Sequence, residues 1–446
     1  MASCSRLALA HVLVLALIGC SAGDGEPEMG AYKPIVQIAP IPGLKVRPLN
    51  DRTFERTEAR RARGEYLAEG ILACAACHSE RDWNKPGGPV VAGRAYAGKV
   101  WKTDGKTWLV APNITPEPHT GAGRWSDDMF ARAIREGIGH DGRLLHPQMW
   151  YRSFRQLSDE DLASVVVYLR SLPAVRNTLP QTVLSAEQVK RFAGEPMPIT
   201  APVPEPPQAT PEERGRYLAG LADCGGCHTL WDGKRLPGAF AGGNEVGRDG
   251  RKVFSANITP DATGLSYDAA GFIQVIRTGK AGLLAPEMPW LFYRRLNDAD
   301  LTALHAFLTT RHPVAHRISN LGPATACAVC GGMHPLGSAN HLVAVRGVDV
   351  PERLLRDYVG TYRIDEYDWT LRIGLEHGKL HVIEGDAPPK ELVALSQSRF
   401  VMEGELGPLR FERDGEGRVA RVVSEDVEDV PLERIIAGAT KAGGSQ

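Results

Sequence analysis

No charge of either sign dominates this chain of 446 residues. Its 52 Lys and Arg stand against 53 Asp and Glu, a formal net charge of −1. That balance gives no support for nucleic-acid binding, which needs a basic surface, although local basic patches can still guide docking to a protein. Long apolar runs are scarce too. The run from Leu7 to Gly19 is too short and too N-terminal for an ordinary membrane span. Cysteine is sparse, with eight residues in all. Hydrophobic residues at 43% and charged residues at 24% exclude a disordered chain, and the length suits two to four domains.

What is present starts at the N-terminus. Arg6 followed by the apolar run has the form of a secretory signal. Its end, "LIGC", looks like a bacterial lipobox, which makes Cys20 a lipid anchor and the new N-terminus. An ordinary cleaved signal is the alternative. Ser21 in place of Asp favours the outer membrane of a Gram-negative envelope, on the periplasmic side. Cys4 leaves with the signal. The remaining six cysteines form three C-x-x-C pairs: Cys74/Cys77, Cys224/Cys227 and Cys327/Cys330. In an oxidising compartment each pair should be bonded to something.

The chain repeats itself, which organises everything after the signal. "RGEYLAEGILACAACHS" from residue 63 matches "RGRYLAGLADCGGCHT" from residue 214, and "PNITP" from 112 matches "ANITP" from 256. "WSDDMFARAIREG" matches "YDAAGFIQVIRTG", and "MWYRSFRQLSDEDLASVVVYL" matches "MPWLFYRRLNDADLTALHAFL". Thr210, Pro211 and Glu213 form a helix start. Ser158 caps a second helix whose Leu162, Val165, Val166 and Leu169 share one face, and Asn297 caps its counterpart with Leu301, Leu304, His305 and Leu308. After Pro351 the chain changes to short β-rich runs, with "EHGK" and "RDGEG" as hairpin turns. The expected order is a signal peptide at 1–20, a tether at 21–55, a helical domain at 56–182, a Pro-rich linker at 183–210, a second helical domain at 211–322, a C-x-x-C junction at 323–350 and an antiparallel β domain at 351–440.

"CAACH" and "CGGCH" are c-type haem-attachment motifs. Cys74 and Cys77, and likewise Cys224 and Cys227, are spaced to add to the two vinyl groups of one haem. His78 and His228 are then held against the iron. Met149 and Met288 occupy the same place in the two repeats, each before a capped helix and each within three residues of a proline. Histidine opposite a thioether is a haem pairing that raises potential. His146 competes with Met149, but the second repeat has Ala285 at that place. Trp125, Phe130 and Ile134, with Tyr267, Phe272 and Ile276, are expected to line the haem pockets, with generic helix packing as the other reading. Asn113 and Asn257, or Arg135 and Arg277, are candidates to meet a propionate or to fix the methionine loop, against a plain turn or surface role. His305 reads as a satisfied core histidine.

This combination of RGxYL…CxxCH, NITP, the W/Y-x4-F-x3-I-R-x-G helix, the methionine and the (S/N)-D-x-D-L helix resembles the cytochrome c subunits of periplasmic membrane-bound alcohol and sugar-acid dehydrogenases, over about residues 56–320. The resemblance implies two mainly-α class I cytochrome c domains in tandem, followed here by a small antiparallel, barrel-like β domain. Those subunits usually carry three haems, whereas this chain has two full sites. "LRDYVGTYRI" and "FERDGEGRVARVV" resemble the small β domain appended to β-lactamase-like serine hydrolases, which implies an accessory or docking module. His377 and His381 beside its hairpin are weak metal candidates.

The expected function is a lipid-anchored periplasmic carrier of single electrons, holding two covalent c-type haems between a redox protein donor and acceptor. A dihaem enzyme of peroxidase type and a haem sensor or binding lipoprotein are the alternatives. The third pair, in "ATACAVCGGMH", has Gly331 where a haem motif has histidine, and none of the flanking repeat. A Cys327–Cys330 disulfide stiffening the junction is expected. A degenerate haem site, or a metal site with His334 and His341, are the other readings.

Overall fold

Two helices crossing at a glycine open and close each helical repeat. The computed structural model describes residues 41–103, 108–247, 251–279, 287–342, 346–364, 369–383, 388–402, 407–425 and 429–435. The signal, Cys20 and Ala285 lie outside them. In the first repeat α1 (Glu58–Glu69) leads to the single turn α2 (Cys74–Cys77), then the ribbon β1 (Lys99–Thr103) and β2 (Trp108–Ala111), α3 (Asp127–Glu136), the turn α4 (Tyr151–Phe154) and α5 (Asp159–Ser171). After α6 (Ala186–Phe192) the second repeat follows: α7 (Pro211–Leu221), α8 (Cys224–His228), α9 (Ala269–Thr278), α10 (Trp290–Tyr293) and α11 (Asp298–Thr309).

The expected caps are in place. Thr210 and Glu213 form a capping box at α7, and the Ser158 and Asn297 side chains accept from the backbone N–H groups of Asp161 and Asp300. Gly64 on α1 and Gly215 on α7 set the crossings. A Cβ on Gly64 would sit 1.9 Å from the Ser164 carbonyl oxygen, and one on Gly215 the same distance from that of Ala303. Only glycine lets these backbones meet.

The two repeats share one core and exchange tyrosines. Arg63 pairs with Asp161 at 2.7 and 2.9 Å inside the first repeat, and Tyr217 of the second donates to the same carboxylate at 2.9 Å. The reciprocal set is Arg214 on Asp300 at 2.8 and 3.0 Å with Tyr66 donating at 2.7 Å. The RGxYL and D-x-D-L motifs therefore build both the repeats and the contact between them.

The described end of the segment read as tether, from residue 41, and the segment read as linker are strapped down. Arg47 binds Asp128 and Glu136 of α3 at 2.8 Å each, and the Phe54 N–H donates to Asp127 at 2.8 Å, giving the buried acids of that helix their partners. The segment read as linker opens with α6, which starts at a Ser185/Gln188 capping box ahead of the dense prolines. Val203 then pairs with Asp159, and Ser158 Oγ donates to Glu205 at 2.7 Å. The seven-residue helix with its own cap lies in a proline-free stretch that was read together with the prolines after it.

A two-stranded hairpin, β3 (Ala324–Ala326) and β4 (Met333–Pro335), precedes the turn of helix α12 (Glu352–Tyr358). The final sheet runs β5 (Gly360–Ile364), β6 (Trp369–Glu376), β7 (Lys379–Ile383), β8 (Lys390–Glu391), β9 (Val393–Ala394), β10 (Arg399–Val401), β11 (Leu409–Arg413), β12 (Val419–Ser424) and β13 (Val430–Arg434). Its order is β8-β7-β6-β5-β13-β12-β11-β10-β9, with all described pairings antiparallel. The two edges, β8 and β9, are consecutive in sequence around the buried Leu392, so the sheet nearly closes into a barrel. The β6–β7 turn is His377–Gly378, both at positive φ (51° and 76°), the backbone a two-residue hairpin prefers. Tyr358, Tyr362, Phe400 and Phe411 fill the interior, with Tyr358 stacked on Phe411 at 4.3 Å. Asp429 anchors this sheet to the second repeat through Arg311 at 2.7 Å and through Arg216.

Candidate haem sites

Each attachment motif is a single helical turn entered through a left-handed residue, Ala73 at φ 45° and Asp223 at φ 50°. The turn sets both thiols on one face, since positions three apart are neighbours on a helix. The His78 N–H bonds to the Cys74 carbonyl at 2.9 Å, which places the imidazole at the end of that turn.

The NITP segments orient the histidines. His78 Nδ1 lies 2.9 Å from the Pro112 carbonyl oxygen, and His228 Nδ1 lies 2.7 Å from that of Ala256. A carbonyl only accepts, so Nδ1 carries the proton and Nε2 presents its lone pair, the arrangement of a metal-ligating histidine. Burial pushes both imidazoles below their usual pKa, against the pull of that bond, and favours the neutral form. The loop behind repeats atom for atom. Gly98 N–H donates to His78 O at 2.8 Å, and Gly242 N–H to His228 O at 2.7 Å. Both glycines have positive φ, 77° and 72°, and a Cβ on either would come within 2.6 Å of backbone.

Asn113 and Asn257 each tie the loop after the histidine carbonyl brace to the end of the repeat. Each Oδ1 accepts from the N–H and hydroxyl of the threonine two residues on, and each Nδ2 donates at 2.7 Å to a carbonyl after the last helix, Val175 or Val314. Arg135 and Arg277 hold the chain beyond the methionines. Arg135 reaches the Leu157 carbonyl at 2.9 Å and Asp159 at 2.8 Å, and Arg277 reaches the Arg294 carbonyl and Asp298 at 2.6 Å.

All the attachment residues, with Met149 and Met288, line one continuous cavity of about 1500 Å3. Trp125, Phe130, Ile134, Tyr267, Phe272 and Ile276 line it too. His146 reaches the same cavity while its Nδ1 accepts from the Gln148 N–H at 3.1 Å. His140, which sequence reasoning passed over, is also on the wall, stacked on Trp125 at 4.5 Å. His305 is satisfied by the Tyr267 carbonyl at 3.0 Å. The repeats touch beside this cavity. Ser153 of α4 donates to Asp223 at 3.1 Å, and burial there pushes the Asp223 carboxyl up to about 6. Arg81 lies over Phe292 of α10 at 5.5 Å.

A family model for cytochrome c matches residues 62–173. The chain is 31% identical over 271 residues to a diheme cytochrome c-type protein of Cereibacter sphaeroides, an alignment taking in 86% of that protein and 53% of this chain. The chain belongs to the cytochrome c family. This cytochrome c is also 31% identical over 271 residues to the fructose dehydrogenase cytochrome subunit of Gluconobacter japonicus (55% of this chain, 51% of that protein). To a nicotinate dehydrogenase subunit of Pseudomonas putida it is 34% identical over 220 residues (47% of this chain, 16% of that protein). It spans about half or less of the length of these two relatives. A thiol pair, an imidazole with Nε2 free and a thioether in each repeat, all on one cavity, fit the c-type haem that the family carries.

The third cysteine pair has histidine neighbours: Cys327 and Cys330 are both buried and stand beside His316 and His334. His341 is exposed and outside that cluster, and His377 and His381 join no such group among the described residues.

Proposed function

We propose that this cytochrome c carries two haems and passes single electrons between redox protein partners. Cys74 and Cys77 would hold one haem covalently, with His78 and Met149 as iron ligands. Cys224, Cys227, His228 and Met288 would do the same for the other. Trp125 and Phe130, and Tyr267 and Phe272, would wall the two pockets. A haem held between histidine and methionine supplies one-electron transfer and keeps no open iron position for a substrate. The observation that carries this reading is the single cavity shared by both donor sets. Two haems in one continuous space would suit electron passage along the chain.

A dehydrogenase is the proposed electron donor, supported by relatives named as cytochrome subunits of fructose and gluconate dehydrogenases. Attachment to the periplasmic face through a lipid on Cys20 is proposed from the "LIGC" segment. No helix among the described residues is long and apolar enough to cross a membrane.

Met149→Ala and Met288→Ala test the ligand sets. Each should lower the potential of one haem by a tenth or more of the ~0.8 V range that axial ligands set, while both haems stay attached. If neither substitution moves a potential or the absorption spectrum, the methionines are not ligands.

A further inference from the structure

The Cys327/Cys330 pair lies outside both haem repeats and has no part in the function above. It sits at the tip of the β3–β4 hairpin. The Cys327 N–H bonds to the Gly332 carbonyl at 2.9 Å, and the Gly331 N–H bonds back to the Cys327 carbonyl at 2.9 Å. Gly331, at φ 70°, turns the chain so that the Gly332 N–H meets Cys330 Sγ at 3.4 Å. A side chain at that position would also press Lys234 Cβ at 2.8 Å. Glycine stands where a haem motif has histidine because the turn must wrap a sulfur.

His334 enters from β4, opposite Thr325, and His316 from the segment after α11. One ligand atom from each of His316, Cys327, Cys330 and His334 lies within 4.8 Å of the other three. The four residues are 0%, 3%, 3% and 1% exposed. His316 Nδ1 donates to the Ala241 carbonyl at 2.8 Å and His334 Nδ1 to the Pro335 carbonyl at 3.0 Å. These bonds fix both tautomers and leave Nε2 as acceptor. Both Nε2 atoms are buried without a hydrogen-bond partner. Buried polar atoms are rarely left so.

The repeat shows what His316 adds. Asn113 and Asn257 bind Val175 and Val314 in the same way, so Asn177 of the first repeat corresponds to His316 of the second. Asn177 Nδ2 donates to the Ala97 carbonyl at 2.7 Å, as His316 Nδ1 donates to the equivalent Ala241. The backbone brace is common to both. The second ring nitrogen, aimed at two cysteines, belongs to the second repeat alone.

We propose that His316, Cys327, Cys330 and His334 bind one zinc ion through the two Nε2 and two Sγ atoms. Zinc takes such closed tetrahedral sets, with Zn–S about 2.3 Å and Zn–N about 2.0–2.1 Å. Ligand atoms in that geometry lie about 3.3–3.8 Å apart, so a small contraction of the cluster completes it. An iron–sulfur centre with two histidines and two cysteines divides them between two irons, whereas here all four donors are mutually close. The ion ties the hairpin to the second repeat. Through Ala241 it also braces the loop whose Gly242 N–H holds the His228 carbonyl.

Elemental analysis of the full-length haem-loaded protein tests the site. The expected result is one zinc per chain beside two haem irons, with X-ray absorption at the zinc edge showing two sulfur and two nitrogen neighbours. His316→Asn restores the residue of the first repeat, keeping the bond to Ala241 and losing one ligand. It should weaken zinc retention against a chelator by about tenfold or more, with the haem spectrum unchanged. Cys327→Ser with Cys330→Ser should abolish retention. The proposal is overturned if the native protein is zinc-free with an intact Cys327–Cys330 disulfide, if iron takes zinc's place, or if His316→Asn and the double cysteine variant both retain zinc as the native protein does.

Discussion

At the scale of the residue, the repeat separates positions fixed by chemistry from positions fixed by space. His78 and His228 each give Nδ1 to a backbone carbonyl and keep Nε2 as an acceptor, which a metal-binding role requires of both. Gly64 and Gly215 are fixed by space, since each Cβ would fall 1.9 Å from a carbonyl oxygen. Gly64→Ala and Gly215→Ala should each lower stability by roughly 1–3 kcal/mol, the usual cost of overpacking. Chemical denaturation of each variant measures this. Stability equal to the parent protein would mean the helices separate without cost. The attachment residues were legible in the sequence because covalent haem chemistry demands a contiguous pattern. His316 was not, because its ligand atom joins the cluster only through folding, from a position that the first repeat fills with asparagine.

At the scale of the element, the helix caps and the β6–β7 turn were readable from local rules, and the capping boxes at α7 and α6 follow the same rule. The crossed tyrosines were not readable, since each repeat was read as a unit and Tyr66 lies 234 positions from Asp300. This interface should respond to acid. Burial pushes the Asp300 carboxyl up, but the bonds from Arg214 and Tyr66 outweigh it and hold the pKa below the ordinary value. A lowered folded-state pKa stabilises the fold at pH values above the unfolded pKa of about 3.9, and that contribution fades as pH falls through the folded value. Asp300→Asn should therefore be less stable than the parent at neutral pH, and the difference should shrink below about pH 4. A pH series of melting temperatures checks it. A difference that stays constant down to strong acid would show that Asp300 does not act as a charge.

At the scale of the whole molecule, the described end of the tether, the linker segment and the barrel-like sheet are all bound to the cytochrome core rather than strung from it. Arg47, Glu205 and Asp429 make those attachments. Composition suggested a tether and a linker because these segments carry no clear period, and the partners that bind them lie on helices far along the chain. The shared core holds the two attachment motifs in a fixed relation, as the proposed two-haem relay would need. The measurement that bears most directly on this account is a spectroelectrochemical titration of the full chain. Two one-electron steps are expected, with both haems six-coordinate and low-spin in the oxidised and reduced states and unreactive towards peroxide. A single step from one haem, or a high-spin haem with an open iron position that reacts with peroxide, would contradict the carrier and point to an enzyme.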